Sequence, residues 1–95
     1  MSPAEAWVRG RLADAPPVLR EAMLAALPAD GELPVPDALA AGAAALYATL
    51  AGDARGEALS LLAADALATH ALEAQAEADP AGVAALAKRM CVAGG

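Results

Sequence analysis

His70, Glu73 and Glu77 are the residues whose types and spacing come closest to chemistry. They stand at i, i+3 and i+7 in a run rich in helix formers, within about 60° of one another on one helix face. An imidazole and two carboxylates so arranged are candidate metal ligands or an acid–base group. Carboxylate-bridged helical bundles build such sites from a Glu-x-x-His motif on each of two helices and a further Glu from each of two others. This chain has one histidine, in His-x-x-Glu order, and no second motif. A metal or small-ligand site at His70, Glu73 and Glu77 therefore requires a symmetric interface between two copies. The plainer expectation is a partly buried helix histidine beside a solvated pair of glutamates.

Nucleophilic chemistry has less to work with. Ser60 and His70 are ten residues apart on the same helix, about 15 Å along its axis, so they cannot form a hydrogen-bonded pair within one chain. Cys91, the only cysteine, falls on the apolar side of the last helix, where it is expected to fill a core position. Gly52 and Gly56 have neither the spacing nor the lysine of a phosphate-binding loop. No catalytic residue and no cofactor is assigned, and an enzyme is the less favoured class.

Composition explains why polar constellations are scarce. Of 95 residues, 31 are Ala and 14 are Leu, with no Phe, Ile or Asn. Ala and Leu are strong helix formers, whereas β-branched residues are few, which excludes an all-β or α/β fold. One lysine against five arginines fits a GC-rich coding bias, which accounts for part of the alanine excess. A net charge of −6 opposes binding to a phosphate backbone, which needs clustered cations. A single cysteine allows no internal disulfide and points to a reducing, cytoplasmic setting. The longest uncharged run, 38–52, is shorter than the roughly 20 strongly apolar residues of a membrane span. Charges at Glu5, Arg9, Arg11 and Asp14 break any signal-peptide core.

Prolines and glycines divide the chain into five expected helices: 3–14, 17–27, 38–51, 54–78 and 80–91. Ser2-Pro3-Ala4-Glu5 reads as a capping box with proline at the first helical position, and Trp7 as a core anchor. Pro28, Pro34 and Pro36 with an Asp-Gly turn predict an extended connector over 28–36. Asp37, Asp53 and Asp79 are the expected N-caps of the third, fourth and fifth helices. Lys88 and Arg89 are expected near the end of the last helix, complementing its dipole. The fold class is all-α: one domain over 1–95, a compact bundle of four to five helices completed by dimerisation.

Dimerisation follows from the third and fourth helices. Over 38–51, Leu39, Gly42, Ala43, Leu46, Tyr47 and Leu50 form one stripe, yet the opposite face of Ala40, Ala41, Ala44, Ala45, Ala48 and Thr49 carries no charge. Over 58–72, only Asp65 and His70 are ionisable. Two helices that are apolar or small all round are not both expected to be central in so short a chain. The expected function is that of a small acidic interaction or assembly module. It would act as a homodimer or as an accessory subunit of a larger protein, with Leu39, Ala43, Ala44, Leu46, Tyr47, Leu50, Leu62 and Leu67 at its interface.

Overall fold

Five α-helices and one 3₁₀ turn make up the computed structural model, which describes residues 1–50 and 54–94 of the backbone and the side chains of 1–50 and 57–91. The helices are α1 (Pro3–Arg11), α2 (Pro17–Ala26), α3 (Val35–Thr49), α4 (Ala54–Ala78) and α5 (Val83–Gly94), with the 3₁₀ turn at Pro80–Gly82. There is no strand among the described residues.

Local signals set most boundaries. The Ser2 hydroxyl accepts from the Glu5 amide at 3.1 Å, half of the expected capping box. The Glu5 carboxylate turns to Arg9 Nε at 3.4 Å instead of reaching back to Ser2. α1 ends at Arg11, three residues early, because Arg20 of α2 takes the Leu12 and Ala13 carbonyls, at 3.3 and 3.1 Å. Pro16 also holds Ala15 away from helical geometry. Asp79 caps the turn that leads into α5, accepting from the Ala81 amide at 3.2 Å. The expected cap at Asp53 lies outside the described residues.

The start of α3 corrects the expectation. The helix begins at Val35, with Pro34 as its N-cap and Pro36 inside the first turn, and the connector narrows to 27–34. A first-turn proline gives up an amide that would have had no intrahelical partner. Ala38 N–H then closes the first turn on the Pro34 carbonyl at 2.9 Å. Asp37 is a first-turn residue rather than a cap. Its carboxylate accepts from Arg89 of α5 at 3.1 Å, so Arg89 ties α5 to α3 from mid-helix instead of decorating a helix end.

The core takes one large, fully buried side chain from each helix: Val8, Met23, Leu39, Leu67 and Leu86. Alanines fill the space between them, including Ala4, Ala38, Ala43, Ala63, Ala71 and Ala74. Small side chains let helix backbones approach closely, and α3 and α4 form the most extensive pairing in the fold. Gly42 and Ala43 of α3 and Ala63, Leu67 and Ala71 of α4 are all buried. Both helices are therefore central at once, contrary to expectation, and each leaves its outer face open. Trp7 is a partly buried neighbour of this core rather than its anchor. Cys91 is exposed, so it fills no core position.

Candidate functional site

Two regions merit attention: a polar seam between α1 and α4, and the outer face of α4. No α1 Cα lies within 8 Å of an α4 Cα among the described residues, so the seam consists of long side chains. Arg11 is its centre. Its Nη1 donates to Glu73 Oε1 at 2.6 Å and to Glu77 Oε2 at 2.8 Å, while Nη2 donates to Glu77 Oε1 at 2.8 Å. The guanidinium Cζ also sits 4.6 Å from the centroid of the Trp7 ring, within cation–π range. Trp7 in turn meets His70 edge to face, with ring centroids 5.7 Å apart and planes at 62°. His70 Nδ1 is buried with no hydrogen-bond partner, and its nearest carboxylate oxygen is Glu73 Oε1 at 3.7 Å.

These contacts give His70, Glu73 and Glu77 a role that their spacing alone does not reveal. They do share a face of α4, but the two carboxylates converge on a cation of the same chain. The hydrogen bonds from Arg11, and then its charge, hold the Glu77 carboxyl below the usual carboxylate range. The same pair raises Arg11 above its ordinary value. Among the described residues, no three His, Cys, Asp or Glu side chains converge as metal ligands. Arg11 is the residue that sequence reasoning missed. Its position in the last turn of α1 suits the helix dipole, but nothing local points to partners 62 and 66 residues away.

The outer face of α4 is apolar. Leu59, Leu61 and Leu62 are 42%, 45% and 54% exposed, and Ala58 beside them is exposed as well. One turn further on, the Asp65 carboxylate accepts from the Tyr47 hydroxyl, which marks the polar edge of the patch. That hydrogen bond, with burial second, pushes the Tyr47 phenol up to about 12. On α3, Ala41, Ala45, Ala48 and Thr49 are exposed. A groove between α3 and α5 is floored by Ala40, Ala41, Ala44, Leu86 and Met90 and walled by Asp37 and Arg89.

The eight residues expected at an interface therefore separate into three groups. Leu39, Ala43 and Leu67 lie in the chain's own core and have almost no surface left for a partner. Ala44, Leu46, Tyr47 and Leu50 are half-buried, and Leu62 is exposed. Of the eight, only Leu62 is exposed, and Leu59 and Leu61 beside it in the sequence of α4 are exposed as well. No protein-family model matches the chain, and no curated protein or solved structure is detectably similar to it. Among the described residues, no helix is long and apolar enough to cross a membrane.

Proposed function

We propose that this chain is a small acidic interaction module that pairs with a second copy of itself through the outer face of α4. The observation that carries this reading is the exposure of Leu59, Leu61 and Leu62 within one turn of helix. Three leucines so placed cost free energy in water at roughly 25 cal/mol for each Å² of apolar surface left uncovered. Small domains with thin cores commonly gain stability by oligomerisation, and most homo-oligomers are two-fold symmetric. A two-fold pairing of α4 helices centred on Leu62 and Ala58 would bury the same residues from both copies, with Leu59 and Leu61 on the two flanks of the contact. The lone exposed thiol of Cys91 fits a reducing, cytoplasmic setting.

Light scattering at micromolar concentration tests the reading. A mass near twice 9.3 kDa is expected, with Leu62→Glu returning it to a monomer that keeps its helical circular dichroism. Ala44→Glu, in the groove between α3 and α5, should leave the pair intact. If Ala44→Glu dissociates the pair and Leu62→Glu does not, the seam is on α3. A monomer at every concentration would overturn self-association and turn attention to a larger protein as the partner of the same face.

A further inference from the structure

The only histidine, His70, and the only tryptophan, Trp7, meet in the seam that joins α1 to α4, where the helices are linked by side chains alone. His70 contributes no hydrogen bond from Nδ1, which is buried 3.7 Å from an oxygen of Glu73. That oxygen is already held by Arg11. We propose that His70 is a proton-responsive link in this seam: on protonation its Nδ1–H donates to Glu73, and α1 is held to α4 more tightly.

The charge count favours this outcome. With a neutral imidazole the seam has one cation, Arg11, facing two carboxylates, Glu73 and Glu77. With an imidazolium the cations and carboxylates are equal in number. The proton comes from solvent, which reaches the ring because the His70 side chain is 22% exposed. No bond has to be surrendered, since Arg11 keeps its two-pronged grip on Glu77 while Glu73 Oε1 is shared between guanidinium and imidazolium. An imidazolium has two N–H donors and no acceptor, so in the charged ring the nitrogen facing Glu73 is a donor, and the added positive charge strengthens its attraction to that carboxylate.

Most other charged groups on the packed elements are engaged elsewhere, and Lys88 of α5 is exposed to solvent. Arg20 of α2 is bound to the Leu12 and Ala13 carbonyls, and Glu21 faces Arg9 of α1 at 4.0 Å. On α3, Asp37 pairs with Arg89 of α5, and Tyr47 pairs with Asp65 of α4. The groups that act on His70 are therefore Arg11, Glu73 and Glu77.

Because Trp7 touches both the ring and Arg11, its fluorescence reads the event directly. Titrating the full chain from pH 8 to pH 5 is expected to change Trp7 emission along a one-proton curve, and His70→Gln should abolish that curve. Glu73→Gln should move its midpoint to lower pH by removing a carboxylate. Arg11→Gln should move it to higher pH by removing the competing cation. A histidine out of reach of this seam would not produce opposite shifts from these two neighbours. Midpoints that coincide in the two variants would overturn the proposal. The unaltered chain supplies an independent check by NMR, in which the Trp7 indole signal should follow the His70 ring signals through the titration. An indole signal that stays fixed while the ring titrates would also overturn it.

Discussion

Gly42 of α3 lies so close to Leu67 of α4 that a methyl group on it would stand 3.2 Å from Leu67 Cδ1 and 3.3 Å from the Ala26 carbonyl oxygen. Both neighbours are held: Leu67 is fully buried, and Ala26 is the last residue of α2. Gly42→Ala is therefore expected to lower stability, although alanine is the better helix former. Gly10 of α1 has open space around it, so Gly10→Ala should raise stability by about 0.5–1 kcal/mol. Urea unfolding of the two variants should show midpoints displaced in opposite directions.

Leu67 and Leu61 are the same residue type on the same helix with opposite surroundings. Leu67→Ala should destabilise the fold by about 2–5 kcal/mol, the range for emptying a packed leucine site. Leu61, 45% exposed, should cost far less on truncation in the monomer. Chemical denaturation checks both, and similar losses at the two positions would contradict the assignment of inner and outer faces.

Asp79 contributes a helix cap at the corner between α4 and α5. Asp79→Ala should cost about 1 kcal/mol through the unpaired Ala81 amide. Asp79→Asn should recover most of this, because the amide oxygen accepts in the same place. Thermal unfolding of the pair distinguishes the cap from a simple charge effect.

The ionic contacts predict loosening at both extremes of pH. Glu77 has a lowered value in the folded chain, so its contribution is present above the unfolded carboxylate range and is lost as pH falls through the folded value. Tyr47 has a raised value, about 12, so its contribution is complete below the ordinary phenol value and is lost as pH rises through 12. Glu77→Gln should flatten the acid limb of a stability–pH curve, and Tyr47→Phe the alkaline limb. Arg11→Gln should reproduce the acid-limb effect of Glu77→Gln, since the two groups form one contact.

Features that depend on a single turn of chain were legible in the sequence. The helix over 54–78 was readable from composition and from the proline after Asp79, and α4 has the same span. Ser2 and Asp79 were recognisable as caps because a capping bond spans only two or three residues. Even the Asp-Gly turn was legible, with Asp30 accepting from the Glu32 amide at 2.9 Å.

Which side of a helix faces inward was decided by the tertiary structure. An alanine-rich helix is nearly equally apolar around its circumference, so the sequence of α4 has little contrast from which to infer that Leu67 is buried while Leu59, Leu61 and Leu62 are open. The earlier start of α3 likewise depends on context, since a proline in the first turn is tolerated only where a helix already has reason to begin. Arg11 shows the same limit for the polar seam. Its hold on Glu73 and Glu77, together with the contact between Trp7 and His70, joins groups more than 60 residues apart in the chain. Such a meeting is set by how five helices share one small core, because no local rule of spacing reaches across that distance.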